Sequence, residues 1–361
     1  MQKPKISFIQ LTSVLLICRI TDILIYVRQN QSSGYNAVLT VLCSLALNLI
    51  LVLPIYYLIK RNPDKSLFEI IKERTPLLSH VFLWRYYIVT FTLLLVNLIY
   101  INYAAADLSL SGRHAGIIIL LVIPVLVYCA LKGIEAISRL SFIMCIFAIP
   151  AVIFIFISGL TAVKSYYIQP LFSQNTNVML SSLLFYLTGF YEIIIFAGLA
   201  PYTRKKQYTA FSIFIAISAI LSIMTVLLTS FIYGSYTNNE MFPFITSLAV
   251  AKIGIQRRLD LIFLTLWVIL AVIKSIIFFY LSSDILNAIF PKTNRKATVY
   301  ITGILLFTAA LIMYIFKIDI TVYLTNKIYA VTFILSTTAI PILYTLIEMV
   351  RKKGRTKENE S

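Results

Sequence analysis

Four ionisable residues sit where hydrocarbon is expected. Arg19 and Asp22 lie inside "LLICRITDILIYV" (15–27), Glu192 inside "FYLTGFYEIIIFAGLAP" (185–201) and Lys274 inside "WVILAVIKSIIFF" (267–279). Each costs about 2.5–3.5 kcal/mol to place at the centre of a membrane helix, so such residues face a bundle interior or a wet cavity and pair with one another. Arg19 and Asp22 are three apart and share a helix face, close enough to neutralise each other. Lys274 is too deep to snorkel easily and needs an anion, for which Glu192 and Asp22 are the obvious partners. Two readings stand. The charges lock helices together, or they line a polar cavity at mid-depth, with Thr21 beside them able to donate or accept.

Gly189 precedes Glu192 by three residues. Glycine weakens a helix, and a break there would free backbone groups to meet a ligand; the alternative is a glycine that lets helices approach closely. No set of residues points to catalysis. HExxH, GxSxG and Walker-type loops are absent, as is a pair of intramembrane aspartates. Cys18, Cys43, Cys129 and Cys145 fall in apolar runs without paired spacing, so they indicate neither a disulfide framework nor a zinc site. His80 and His114 stand apart. No enzyme activity, metal or cofactor is expected.

The elements that must position these residues follow from composition. The chain of 361 residues is 60% hydrophobic and 12% charged, with mean hydropathy +0.90. Soluble domains are roughly 45–50% apolar and about 25% charged, so the chain is an all-α polytopic membrane protein. Its runs are continuous rather than alternating, which excludes a barrel. Ten spans are expected, at 7–27, 37–59, 83–106, 115–131, 140–161, 178–200, 209–234, 259–281, 298–316 and 328–350, the eighth able to run on towards Pro291. The first is too long and too charged for a cleaved signal peptide.

The net charge of +17 gathers in short loops and does not point to nucleic acid. One side of the spans carries 20 Lys and Arg and the other eight. The richer side is expected to be cytoplasmic, with both termini on it and the tail 351–361 solvated. In the second loop, Ser66 and Glu69 of "SLFEIIKE" form a capping-box pattern for a short interfacial helix. Spans one and six each carry an odd polar centre and are separated by four spans. That placement suits a five-plus-five inverted repeat, about 7–161 and 178–350, with paired discontinuous helices at the midplane.

The chain also resembles a known family across almost its whole length. The pieces, in order, are "SFIQL" (7–11), "SLFEIIKE" (66–73), "KGIEAISRLSF" (132–142), "YIQPLF" (167–172), "GFYEIIIFAGLAPYTRKKQY" (189–208) and "FPFITSLAVAKIGIQRRLDLIFLTLWVILAVIKSIIFFY" (242–280). In the last, Pro243, Arg258, Asp260, Trp267 and Lys274 stand at family-like positions. Together they are similar to the endospore germination permeases, the B subunits of spore germinant receptors, in the amino acid–polyamine–organocation superfamily.

The resemblance implies a LeuT-like fold, residence in the inner spore membrane and assembly with receptor A and C subunits. It implies sensing of a small germinant (amino acid, nucleoside or sugar) without implying net transport. It gives weight to Glu192, Lys274 and Gly189. The expected ligand site comprises Thr21, Asp22, Tyr103, Gly189, Tyr191 and Glu192, and the expected charge network Arg19, Asp22, Glu192 and Lys274. The chain departs from its relatives at Thr21, Asp22 and Ile23, where a glycine-rich turn is common, and at Arg28, where proline is frequent. In the superfamily that turn frees backbone groups to hold a carboxylate; here Asp22 would repel one and Arg19 attract it. Two other roles remain open: a proton-coupled amino acid permease using Glu192 or Asp22 as carrier, and a scaffold subunit that binds no ligand.

Overall fold

A computed structural model describes residues 5–24, 34–108, 115–163, 176–203, 206–234, 243–250, 259–316 and 327–347. Arg28, His114, Arg258, the "YIQPLF" stretch and the tail 351–361 lie outside them. The described helices are α1 (Phe8–Ile23), α2 (Gly34–Arg61), α3 (Leu67–Arg74), α4 (Pro76–Leu108), α5 (Ala115–Lys132), α6 (Ile134–Gly159), α7 (Thr176–Thr188), α8 (Glu192–Leu199), α9 (Gln207–Tyr233), α10 (Pro243–Val250), α11 (Leu259–Ile289), α12 (Arg295–Phe316) and α13 (Lys327–Ile334). A π-turn, Leu335–Ala339, carries the last helix on to residue 347.

All ten expected spans appear as helices. Eight are long and apolar enough to cross a membrane, α7 and α8 counting as one; α1 and α5 supply the others, with 16 and 18 residues. The eighth runs to Ile289, so its expected extension is present. Length follows from pattern here, because an unbroken apolar run of about 20 residues can satisfy its backbone only as a helix in lipid.

Burial separates two kinds of span. Helices α6 and α12 turn whole apolar faces outward, including Ile146, Phe147, Ile304 and Phe316, as expected of lipid-facing surface. Helix α1 is the opposite: every residue from Leu11 to Thr21 is buried, because α6, α9, α11 and α8 surround it. Its start is fixed by a capping box in which Gln10 N–H donates to Ser7 Oγ (3.2 Å) and Ser7 N–H to Gln10 Oε1 (2.8 Å). Just before that box, Ile6 N–H donates to the Tyr202 carbonyl (2.8 Å), and Ile6 pairs with Thr203 as an isolated parallel bridge. The beginning of span one is thereby tied to the end of span six.

The capping box expected in the second loop is also present. Glu69 N–H donates to Ser66 Oγ (3.2 Å) and Ser66 N–H to Glu69 Oε2 (2.8 Å). The resulting α3 buries Leu67, Phe68, Ile70 and Ile71, and Lys72 Nζ caps α11 by donating to the Ala288 carbonyl (2.9 Å). Gly198 lets α8 close on these neighbours. A Cβ there would stand 2.5 Å from Leu281 and 3.0 Å from Phe68, both fully buried. Replacing Gly198 with Val should lower the unfolding free energy of the solubilised protein by about 1–3 kcal/mol through overpacking. Thermal unfolding in detergent measures it, and an unchanged midpoint would mean that this contact is slack.

Candidate functional site

Span six breaks where Gly189 predicts. Helix α7 ends at Thr188 and α8 begins at Glu192. Between them Gly189 N–H donates to Phe185 O (3.0 Å) and Phe190 N–H to Leu187 O (3.3 Å), and Ile194 N–H restarts the helix on Tyr191 O (2.9 Å). Gly189 does not take a positive φ, so the position asks for no unusual backbone. A Cβ there would meet only the carbonyls of Phe185 and Tyr186, at 3.5 and 3.6 Å, and the residue lines a cavity.

The break places Glu192 as the first residue of α8, where a carboxylate complements the exposed N–H groups of a helix start. Arg19 Nη2 donates to Glu192 Oε2 at 2.9 Å. The guanidinium also lies over the Phe190 ring, 4.5 Å from its centroid, a favourable placement for a desolvated cation. Glu192 is fully buried and Arg19 nearly so.

Asp22 pairs with Lys274 Nζ. That ammonium lies 5.0 Å from the Tyr191 centroid and 6.0 Å from that of Phe278. Arg19 and Asp22 therefore do not neutralise each other along α1. Each reaches a different helix, Arg19 to α8 and Asp22 to α11, so the pairs are bonds between spans. The four charges sum to zero.

Thr21 plays a supporting part. Its hydroxyl donates back to Ile17 O (2.7 Å), while its carbonyl accepts from Trp267 Nε1 (2.9 Å). That indole serves a carbonyl in the last turn of α1, where backbone carbonyls call for donors from outside the helix. The helix continues through Thr21, Asp22 and Ile23 and caps at Leu24, so the described span one is unbroken there.

Beside these pairs lies a cavity of about 160 Å³. Arg19, Asp22, Gly189, Tyr191 and Lys274 line it, with Asn97 and Tyr100 of α4, Thr225 of α9 and Tyr329 of α13. Asn97 Nδ2 donates to Ala271 O and Ser275 Oγ, both at 2.7 Å. Among the described residues, Asp22 Oδ2, Asn97 Oδ1 and the Tyr191 hydroxyl are buried without a hydrogen-bond partner. Unsatisfied buried polar atoms are costly, and all three belong to cavity-lining side chains, so the cavity suits a ligand that is itself polar. Three expected site residues stand outside that lining, Thr21 among them, bonded to Ile17 and Trp267 instead. Glu192 contacts the cavity only through Arg19, and Tyr103 packs half-buried against the core, with Tyr100, one turn earlier, lining the cavity in its place.

Asn97, Tyr100 and Phe190 went unrecognised in the sequence, as did the bond that the Trp267 indole makes to α1. Asn97 alone carried a signal, as an amide inside span three.

Replacing Arg19 or Glu192 singly by Met should destabilise the protein by about 3–5 kcal/mol, because a buried charge is left alone. The double replacement should recover most of that loss. Thermal unfolding of the three variants tests the pair, and additive losses would show that it is not coupled.

A family model described as "Spore germination protein" matches residues 5–318. A search of curated proteins gives no match. Among solved structures, one similar chain is Mhp1, a nucleobase-cation-symport-1 family transporter in a closed conformation with bromovinylhydantoin bound. It superposes with a TM-score of 0.63 at 10% identity, over 89% of this chain and 75% of that one. That likeness shows the LeuT-like transporter fold. The chain belongs to the spore germination protein family and is an integral membrane protein of permease type.

Proposed function

We propose that this member of the spore germination protein family is the membrane subunit of a germinant receptor, sensing a small nutrient in the cavity beside the α7–α8 break. The carrying observation is that cavity itself, bordered by interhelix ion pairs and lined by buried polar atoms without hydrogen-bond partners among the described residues. Its volume of about 160 Å³ is near the roughly 150 Å³ that accommodates one benzene, so the nutrient would be an amino acid or a molecule of similar size. The likeness to a transporter crystallised with a small ring compound is consistent with a ligand held within such a bundle.

In this reading the two halves, about 7–161 and 178–350, meet at α1 and the broken span six. Thr21 holds α1 in place through Trp267, and Asp22 and Tyr191 face the ligand. Arg19, Glu192 and Lys274 transmit its binding. Tyr103 would act from behind Tyr100. A ligand shifts a conformational equilibrium only by its different affinity for the two states, and here the states would differ in how Arg19 and Lys274 share their carboxylate partners. The protein would act in the inner spore membrane, with both termini on the core side, together with receptor A and C subunits.

The transporter fold favours one further reading, a proton-coupled permease with Asp22 or Glu192 as carrier. Uptake of labelled nutrient into proteoliposomes, dependent on a pH gradient, would support transport over sensing.

Gly189→Leu places a side chain in the cavity while leaving all four charged residues in the chain. Spores carrying it should need roughly tenfold or more nutrient for half-maximal germination, the loss of a contact worth about 1.4 kcal/mol or more. An unchanged dose response at normal protein level would remove this cavity from the mechanism.

A further inference from the structure

A second, larger hollow opens on the outer surface of the bundle. It is a groove of about 400 Å³ floored by Thr12, Ser13 and Leu16 of α1 and walled by Phe142, Ile146 and Ile149 of α6, with Ile213 of α9 at its edge. Ile146 is 55% exposed and Phe142 39%, so the walls face the bilayer.

Its polar floor is already satisfied. Thr12 Oγ1 donates to Phe8 O (2.9 Å) and Ala210 O (3.3 Å), Ser13 Oγ to Ile9 O (2.9 Å), and Cys145 Sγ to Ser13 O (3.4 Å). The groove therefore offers an occupant methyl and ring surface only.

Its mouth is different. Helices α1, α6 and α9 all begin at this end, and cations gather there. Lys206 Nζ lies 5.8 Å from the centroid of Phe8, a residue that lines the groove. Arg139, 71% exposed, stands one turn before Phe142, with only a loose 3.9 Å contact to Glu135. The Lys5 N–H donates to Glu135 Oε1 (3.2 Å), which leaves the exposed Lys5 ammonium available. Three cations face one anion, and Lys3, Arg204 and Lys205 adjoin them in sequence.

An apolar slot ending in a basic mouth matches one kind of molecule. We infer that this groove binds an anionic phospholipid, its acyl chain along α1 between α6 and α9 and its phosphate between Lys206 and Arg139. Basic pockets between membrane helices hold anionic lipid headgroups. Helix starts add to the positive potential. The floor of the groove is α1 itself, and Leu16 lies one turn before Arg19. A bound lipid thus braces the helix that carries half of the buried charge network, making the protein's stability depend on membrane composition.

Full-length protein in neutral detergent, titrated with phosphatidylglycerol or phosphatidylcholine, tests this by native mass spectrometry and thermal unfolding. Phosphatidylglycerol should be retained and should raise the unfolding midpoint at roughly 20-fold lower concentration than phosphatidylcholine. The exposed pair Lys206→Gln and Arg139→Gln should abolish that preference, and Ile146→Trp should weaken retention of both lipids. Equal retention of the two lipids by the unaltered protein would overturn the inference, as would a preference that survives the Gln pair. Retention unaffected by Ile146→Trp would place the lipid elsewhere and also overturn it.

Discussion

A charge in hydrocarbon has no water to solvate it, and this protein places four of them near the centre of its bundle. Arg19 meets Glu192 and Lys274 meets Asp22, so each cation finds its anion on another helix. Such pairs add little net stability relative to a well-packed apolar core, but breaking one strands its partner at high cost. Their effect is therefore one of placement. Helix α1, apolar on nearly every side, could settle in many rotations about its axis. Only one presents Arg19 to α8 and Asp22 to α11 together.

The rest of the centre is arranged around that placement. Span six stops at Gly189 and restarts at Glu192, which puts a carboxylate at a helix start and opens space beside it. The Trp267 indole bonds the last turn of α1, while at the other end Ile6 and Thr12 are bonded to the Tyr202 and Ala210 carbonyls. Helix α1 is thus held at both ends and pinned by charge between them. Asp22, Lys274 and Gly189 all line the one cavity, so it adjoins α1, α11 and the break in span six at once. The unbroken α1 fits the same picture. With a continuous α1, polar contact comes from side chains such as Asp22 and Asn97 rather than from freed backbone.

Much of this was legible in the residues. Apolar runs dictate helices in lipid, and they located all ten spans; Ser66 and Glu69 announced α3, and Gly189 three residues before a buried acid announced the break. The chain's charges also narrowed their own partners, since Lys274 had only Asp22 and Glu192 as obvious anions. What could not be read was which of two equivalent pairings Arg19 and Asp22 would adopt. Spacing alone allows them to meet along α1, and only the packing of α8 and α11 against that helix draws them apart. Tyr103 shows the same limit. Tyr100 and Tyr103 are one turn apart on a long helix with aromatic residues on several faces, and the choice between them depends on the rotation of α4 against α11. Asn97 was overlooked because an amide in a span more often bonds a neighbouring helix, as one side of this one does.

The central claim is that the paired charges belong to the nutrient site and not only to the scaffold. Its most direct test is equilibrium binding of the nutrient to purified protein with Asp22→Asn and Lys274→Met combined, a pair of changes that leaves no unpaired buried charge. The account predicts a folded protein, with a thermal midpoint near that of the unaltered chain, whose affinity for the nutrient is weaker by roughly tenfold or more, the equivalent of losing one charge-assisted contact. Unchanged affinity in that folded variant would contradict it and leave the ion pairs as scaffold alone.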